Sequence, residues 1–443
     1  MMNKTTGFYF LFATQFLLIV GKMFMDVKVG LFSLVFTILF LVITLIQLNN
    51  DETTDWSLGN NGMLYLYSAW GIYYLLEILN PNAVIEVWNI CLPPYALLPI
   101  ICAFLIPIVI KDIKGLECLL YIWAIFILIA TFKGYWQKNH GFSERDQYFL
   151  YTLGGWRTHI IWSGIRYFSC FSDANTYGVH SAMAAVTFSI SSFYVKGKIK
   201  RLFFFITALC AIYGFGISGT RSAMAVIAGG LGMMTILSKS WKALLISGTA
   251  AIGIFCFFYF TNVGNSNPFI YKMRSAFRPT EDASYIVRVE NRAKMKELMG
   301  HKPIGYGIGL SKSGGDIRPR EVMPYPPDSW LVSVWVETGI VGLLLYLIIN
   351  GSLFAWCSWI LLFKIKDPRL RGMVAAWLCM DAGFFLAAYA ADCLQYPNPI
   401  AVYTGFALCF AAPHIDKHIS EQKELEEQEK AVEKADAETN NML

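Results

Sequence analysis

The sequence predicts an all-α, polytopic membrane protein with about twelve transmembrane helices and a large extracytoplasmic loop between the ninth and the tenth. Of its 443 residues, 56% are hydrophobic and only 15% are charged, and the charged residues gather in short clusters between long apolar runs. Runs of about 18 apolar residues can cross the hydrocarbon layer. The sequence contains no P-loop, dinucleotide fingerprint or paired metal-ligand spacing, so ATP-driven pumping and dinucleotide chemistry have no support.

The spans belong to one predicted transmembrane domain, residues 1–413. Its first hydrophobic segment reads as a retained helix rather than a signal peptide, because no small-residue cleavage site follows it. The predicted spans are residues 8–21, 29–47, 62–79, 93–110, 115–133, 174–195, 201–217, 222–237, 241–260, 340–363, 372–390 and 398–413.

The basic residues of the short loops predict the orientation, because such residues concentrate on the cytoplasmic side of a membrane. The clusters assigned to that side are residues 196–201, Lys239 with Lys242, Lys111 with Lys114, and residues 364–371. Both termini are then cytoplasmic, and the acidic loop 51–55 is the one cytoplasmic segment without positive charge. The charged tail, residues 414–443, has no apolar stripe and is expected to be a solvated helix or disordered.

Residues 328–363 are long enough for two crossings, but they connect an outer loop to a cytoplasmic cluster and must cross once. We therefore predict a short surface helix over residues 329–338, a break at Gly339 and one span over residues 340–363. On a continuous helix, Asp328 and Glu337 would lie on opposite faces, roughly 13 Å apart along the axis. Glu337 is expected to pair with a buried cation or to stabilise the break at Gly339.

Two segments on the predicted outer side exceed ordinary loop length, residues 134–173 and 262–327. The second is basic, and simple surface charge explains most of its lysines. Its arginines are more informative, because a planar fork of donors suits phosphate. Together with the surface helix that follows it, this loop is the expected active site.

Arg221 lies in a tight turn between two spans, at the predicted N-terminal turn of the eighth helix. A cation there opposes the helix dipole. A bound anion would remove the conflict, since the free N–H groups and the guanidinium would both face it. The alternative is an arginine that snorkels to lipid headgroups or pairs with a loop carboxylate.

Several segments, in order, resemble the O-antigen ligase and O-antigen polymerase superfamily of membrane glycosyltransferases. The resemblance covers roughly residues 160–350 and includes the twelve-span layout. The segments are Arg166 to Gly178 with Asp173 and Asn175, Ser218-Gly219-Thr220-Arg221-Ser222, Ser284 to Arg288 followed by Pro303 to Gly309, and Asp328-Ser329-Trp330-Leu331 leading to Glu337 and Gly342.

The resemblance implies transfer of an undecaprenyl-diphosphate-linked glycan to an acceptor hydroxyl, without metal, nucleotide or other cofactor. Arg221 and Arg288 would then contact the diphosphate. The implied partners are the glycan donor, a glycan or lipid-linked acceptor and membrane lipid, with no nucleic acid, and a chain-length regulator protein is compatible with this function. The implied location is the bacterial inner membrane, with the active site facing the periplasm.

Two departures concern the catalytic base. Ligases of this superfamily usually carry His-Asn where this chain has Asp328 and Ser329, and a Trp often found shortly after the loop arginine is absent after Arg288. Asp328 is the candidate base, although Asp is a weaker base than His. The alternative, which does not exclude the first, is that Asp328 is the N-cap of a helix. His301 is the best substitute base.

The catalytic candidates are therefore Asp328, Arg221 and Arg288, and the substrate-binding candidates are Arg166, Asn175, Arg274, Arg278, Arg292, Glu337 and His301. His180, inside the sixth span, is expected to make a helix–helix hydrogen bond rather than to carry a proton. His140 and His159 belong to no recognisable constellation.

Repeat-unit polymerase is the leading functional hypothesis, because the His-Asn pair of the ligases is missing. The alternative is a ligase that joins a finished glycan to lipid A core or to a protein. A transporter or flippase is the alternative of another class. It would require more polar or broken segments at mid-bilayer. The predicted spans have few charged groups there apart from His180 and Asp381.

Overall fold

A computed structural model of the protein describes residues 6–24, 29–161, 164–239, 241–266, 268–274, 277, 283–311, 321–325 and 327–440. These residues form helices almost throughout, with one antiparallel hairpin of two short strands. The helices are α1 (Thr6–Gly21), α2 (Val29–Asn49), α3 (Gly62–Leu76), α4 (Ile85–Leu92), α5 (Leu98–Val109), α6 (Ile113–His140), α7 (Glu144–Gln147), α8 (Trp156–His159), α9 (Ala174–Tyr194), α10 (Lys198–Ser218), α11 (Ala223–Leu237), α12 (Trp241–Phe260), α13 (Pro268–Arg274), α14 (Ala283–Met299), α15 (Trp330–Phe363), α16 (Pro368–Ala388) and α17 (Asn398–Asn440), and the strands are β1 (Ile160–Ile161) and β2 (Gly164–Ile165).

Six helical segments within the described residues are long and apolar enough to cross a membrane, judged by length and composition. They are Phe32–Asn49, Ile85–Val109, Ile113–His140, Lys198–Ser218, Trp330–Phe363 and Pro368–Ala388, and shorter apolar helices are Thr6–Gly21, Ala223–Leu237 and Leu244–Phe260. The structure supports an all-α membrane protein. The count of twelve spans and the side on which each loop lies stay predictions.

The centre of the bundle is formed by α9 and α16, whose side chains are mostly buried. Small residues bring the helices together: a Cβ on Gly383 would lie 2.0 Å from the carbonyl oxygen of Val226 on α11. His180 of α9 accepts a hydrogen bond from Trp123 Nε1 at 2.9 Å, and its Nδ1 lies 2.7 Å from Asn398 Oδ1. These contacts are the helix–helix hydrogen bonds expected for His180.

One end of the bundle, which we call the basic end, is joined by ion pairs. Glu117 near the start of α6 accepts from Lys200 at 2.6 Å and from Arg369 at 2.5 Å. The acidic loop 51–55 lies at the same end, because Lys111 Nζ is 3.8 Å from Asp51. The loop without positive charge of its own is therefore beside one of the lysine clusters assigned to the cytoplasm.

The break expected at Gly339 is present in α15. Gly339 has φ 65° and ψ −167°, outside the helical region. A Cβ there would lie 1.9 Å from the carbonyl oxygen of Pro303, so only glycine fits. The carbonyls freed at the break are paired, because Val336 and Glu337 accept from the backbone N–H groups of Tyr306 and Gly307 at 2.8 and 3.0 Å.

Two helices differ from the sequence predictions, and the structure decides between the two forms expected for the tail. Helix α6 continues to His140, so the predicted loop 134–173 begins with helix. The predicted surface helix begins at Trp330 and buries Trp330, Val334 and Val336 among other side chains. The tail is helical as far as Asn440. Of the two forms expected from the sequence, a solvated helix or a disordered segment, it adopts the helix.

Candidate active site

Three arginines from distant parts of the sequence meet at the end of the bundle opposite the basic end. Arg166 follows strand β2, Arg221 lies in the turn between α10 and α11, and Arg288 is on α14. The pKa of Arg221 is lowered by burial and then by the positive charges of Arg288 and Arg166. The three guanidinium groups are therefore close enough to affect one another, and we call them the arginine cluster.

Arg166 is held by neutral acceptors. Its Nη2 donates to Thr220 Oγ1 at 3.1 Å, its Nη1 to the Thr158 carbonyl at 3.3 Å and its Nε to the Ser218 carbonyl at 3.4 Å. The pKa of Arg166 is lowered first by burial; the charge of Asp173 raises it and that of Arg288 lowers it. This side chain is fixed in the cluster with its positive charge retained.

The turn that carries Arg221 is fixed against the start of α9. Gly219 adopts the left-handed conformation, with φ 59°, which ends α10. Thr220 Oγ1 donates to the carbonyl oxygen of Ala174 at 2.8 Å, and Ser222 Oγ donates to Asn175 Oδ1 at 3.0 Å. Asn175, a substrate-binding candidate, thus supports the turn directly.

A short segment after α16 joins the site together, and sequence reasoning missed it. Residues 389–392, here called the carbonyl segment, present successive backbone carbonyls at a helix C-terminus, where unpaired carbonyls carry partial negative charge. They accept, in order, from Arg292 Nη2 at 3.2 Å, Arg288 Nη1 at 3.2 Å, the backbone N–H of Trp330 at 3.1 Å and Asn175 Nδ2 at 3.2 Å.

Those four donors come from α14, α15 and α9, so the carbonyl segment sets the relative position of the parts of the site. The ring of Tyr389 also packs under Arg292, whose guanidinium carbon is 5.2 Å from the ring centre. The available sequence signal was the polar stretch with Asp392, Gln395 and Asn398 between two apolar spans.

Asp328 lies at the rim of the arginine cluster. Its Oδ2 is 3.7 Å from Arg288 Nε, and the two side chains are 34% and 37% exposed, so solvent or a substrate can reach the pair. The alternative role expected for Asp328 is wrong: the N-cap of α15 is Ser329, whose Oγ accepts from the Val332 N–H at 3.2 Å. Asp and Ser are both good N-cap residues, but α15 starts one residue later than it would if Asp328 were the N-cap.

The remaining candidates lie elsewhere. Arg274 is buried and donates to the carbonyls of Val263 and Phe257 at 2.8 and 3.5 Å, beside the end of α12. Glu337 accepts from Ser311 Oγ at the break in α15. His301 is exposed just beyond the far end of α14, about 16 Å or more along the axis from Arg288. Arg278 lies outside the described residues.

His159, to which the sequence assigned no constellation, is 2% exposed beside the cluster. Its Nδ1 is 2.9 Å from the carbonyl oxygen of Gly155, and its Nε2 accepts from the backbone N–H of Ala174 at 3.1 Å. The pKa of His159 is lowered, chiefly by burial. The missed signal is only a histidine seven residues before Arg166, which sequence alone could not connect to α9.

The assembled site can bind an anion and can offer a carboxylate next to it. Guanidinium groups bind phosphate oxygens bidentately, and partial burial strengthens such contacts. Asp328 is positioned at the accessible edge, where it could accept a proton from a second substrate. Among the described residues, no group of three or more His, Cys, Asp or Glu side chains is arranged to hold a metal ion.

A family of known proteins matches the part of the chain that contains most of this site. Residues 203–347 match the model of the family described as O-antigen ligase, which confirms the resemblance to the O-antigen ligase and polymerase superfamily. The matched stretch contains Arg221, Arg288 and Asp328, whereas Arg166 and the carbonyl segment lie outside it. No curated protein matches the chain.

Proposed function

We propose that this protein transfers an undecaprenyl-diphosphate-linked oligosaccharide to an acceptor sugar hydroxyl at the extracytoplasmic face of the bacterial inner membrane, as a repeat-unit polymerase of O-antigen or another surface polysaccharide. The family match supports activity of the O-antigen ligase or polymerase type in general. The observation that carries the specific proposal is the arginine cluster, partly buried at one end of an apolar helix bundle with a carboxylate at its rim.

In the proposed reaction, the acceptor oxygen forms a bond to the anomeric carbon of the donor glycan as the bond from that carbon to the diphosphate oxygen breaks. The diphosphate leaves on its lipid with the electron pair of that bond. Arg221 and Arg288, supported by Arg166, stabilise the negative charge that develops on it. The acceptor proton passes to the Asp328 carboxylate.

Geometry supports these roles. Arg288 donates to the Ala390 carbonyl of the carbonyl segment and lies beside Asp328, so it is held next to the proposed base, where the diphosphate can compete for it. The turn carrying Arg221 lies between the ends of the apolar helices α10 and α11, which supports a site near the membrane surface, where a lipid-linked donor would present its phosphates. We propose that no metal or nucleotide takes part.

A ligase is the second candidate, and the description of the matched family favours it. A ligase would use the same donor site but deliver the finished glycan to lipid A core or to a protein. Asp328 and Ser329, in place of the His-Asn of most ligases, are the feature that favours the polymerase.

The test is a product analysis with purified protein in lipid nanodiscs and a synthetic undecaprenyl-diphosphate oligosaccharide. A ladder of lengthened lipid-linked glycans is expected from donor alone if the protein is a polymerase. Product only after addition of a separate lipid A core or protein acceptor would identify a ligase. Absence of a glycan product with either mixture, together with movement of the donor across the bilayer, would replace the proposal with a transporter.

Arg221→Lys tests the role of the cluster in the same assay. Lysine keeps the charge but loses the bidentate fork, so activity should fall nearly as far as in Arg221→Ala. Arg157→Lys is the matched control, because Arg157 is an exposed arginine of the neighbouring helix α8. Full activity of Arg221→Lys with unchanged donor affinity would remove Arg221 from diphosphate binding.

A further inference from the structure

The ring of His159 is oriented by contacts on both nitrogens. Because a backbone N–H can only donate, the bond from Ala174 requires an unprotonated Nε2, and the ring proton is then on Nδ1, facing the Gly155 carbonyl. The ring also packs edge-on against Phe149 and Phe168, with centroid distances of 5.3 and 5.0 Å. The side chain is thereby held in one position.

Four residues close a circuit of hydrogen bonds that includes His159. The Ala174 N–H donates to His159 Nε2, and the Ala174 carbonyl accepts from Thr220 Oγ1 at 2.8 Å. Thr220 Oγ1 in turn accepts from Arg166 Nη2 at 3.1 Å. The Arg166 backbone N–H closes the circuit by donating to the His159 carbonyl at 2.8 Å.

The circuit links the separate segments that carry the donor site. It joins the loop before Arg166, the first residue of α9 and the turn that carries Arg221. Ala174 is the first residue of α9, so its N–H has no partner within the helix, and His159 satisfies it. Without that acceptor, a buried donor would be left unpaired, and the start of α9 would be expected to shift or bind water.

We propose that His159 is a positioning residue of the donor site, which in its neutral form fixes Arg166 and the turn carrying Arg221 through Ala174 and Thr220. This inference rests on the proposed function, because it assigns His159 to the binding of the same diphosphate.

Protonation of His159 would open the circuit, because Nε2–H would face the Ala174 N–H. The charged groups that act on the ring are Arg166 and Asp173, which lower and raise the pKa of His159 respectively, while burial lowers it most. The folded pKa is therefore below the ordinary value of about 6.5. The contribution of the neutral ring to the free energy of unfolding is complete above pH 6.5 and is lost as the pH falls from there through the folded pKa.

Two variants separate positioning from simple packing. His159→Gln can place Oε1 near the position of Nε2, where it accepts from the Ala174 N–H but does not titrate. His159→Phe keeps an aromatic ring between Phe149 and Phe168 but removes the acceptor. His140→Gln is the matched control, because His140 is an exposed histidine at the end of α6.

The first measurement is the affinity of each purified variant for undecaprenyl diphosphate in nanodiscs. We expect His159→Phe to bind about tenfold more weakly than wild type, as for loss of one buried hydrogen bond, and His159→Gln to stay within about threefold. Wild-type affinity should fall as the pH drops through the folded pKa of His159, which is below its ordinary value, and the fall should be smaller in His159→Gln. Equal affinity and equal pH profiles in all variants would overturn the proposal.

The second measurement is amide hydrogen exchange without ligand, which does not depend on the proposed function. In His159→Phe, exchange should accelerate at residues 174–176 and also at residues 218–222, because the circuit joins them. Acceleration confined to residues near position 159 would show that His159 acts only locally, and the proposal would fail. If the wild type shows no affinity for the diphosphate, the proposed function fails, and the exchange pattern still decides whether His159 holds the two segments.

Discussion

Asp328→Asn is the most informative substitution at the site. Asparagine keeps the size of the side chain but cannot accept the acceptor's proton, so turnover should fall about 100-fold or more if Asp328 is the base. Stability should hardly change. The ion pair with Arg288 joins side chains that are 34% and 37% exposed, so its loss costs about 1 kcal/mol at most. The N-cap of α15 is Ser329 and stays in place.

The assay is turnover on the lipid-linked donor, with the melting temperature measured on the same preparation. Ser329→Ala is the control: loss of its bond to the Val332 N–H should cost about 1 kcal/mol of stability and leave the Asp328 carboxylate in place. Asp328→His should recover part of the activity, because histidine titrates closer to neutral pH. Near-normal turnover of Asp328→Asn would refute the reasoning and leave the cluster without a protein base, because His301 lies beyond the far end of α14.

Other predictions concern the scaffold. Gly339→Ala should destabilise the protein by about 2 kcal/mol or more, because its Cβ would meet the Pro303 carbonyl at 1.9 Å, whereas Gly351→Ala, with nothing within 4 Å, should be neutral or slightly stabilising in the same melting assay. Asp381→Asn should keep or raise the melting temperature, because neither buried carboxylate oxygen of Asp381 has a hydrogen-bond partner among the described residues; a clear decrease would contradict this. In a cysteine-depleted protein, an impermeant reagent added outside should label Glu144→Cys and not Lys198→Cys, and the reverse pattern would invert the predicted topology.

The sequence was sufficient for the features that depend on local composition. Long apolar runs predicted an all-helical membrane protein, and six segments meet the criteria of length and composition. Parity of crossings predicted the break in α15, and Gly339 provides it with a backbone conformation that other residues rarely adopt. Helix ends were less predictable, as in α6, because polar and aromatic residues can continue a helix beyond the apolar run.

The site could be predicted only in part. Arg166, Arg221 and Arg288 were candidates through the family resemblance, and the structure brings them together. The carbonyl segment and His159 were missed, because their roles depend on backbone groups and on contacts between residues far apart in the sequence. A backbone carbonyl has no residue type that marks it, so sequence patterns give no indication that it will accept from an arginine.

The partners of the arginines have a consequence for substrate binding. The acceptors of Arg166 are two carbonyls and a hydroxyl, and Arg288 donates to the Ala390 carbonyl, so these contacts fix the guanidinium groups without cancelling their charge. Asp328, in contrast, is a carboxylate that would compete with phosphate for Arg288. If the proposed function holds, donor binding draws Arg288 from Asp328 and leaves that carboxylate available to the acceptor hydroxyl.

The same competition predicts opposite effects of Asp328→Asn on binding and on turnover. Removal of the carboxylate should tighten binding of undecaprenyl diphosphate by up to about fivefold, which corresponds to the roughly 1 kcal/mol limit for an exposed ion pair. Turnover should fall in the same variant. Equilibrium binding in nanodiscs measures the first effect. Asp173→Asn is not a suitable control variant for this measurement, because the Asp173 side chain is the N-cap of α9. Unchanged or weaker binding by Asp328→Asn would mean that Asp328 does not compete with the donor for Arg288, and its proximity to that arginine would then be structural.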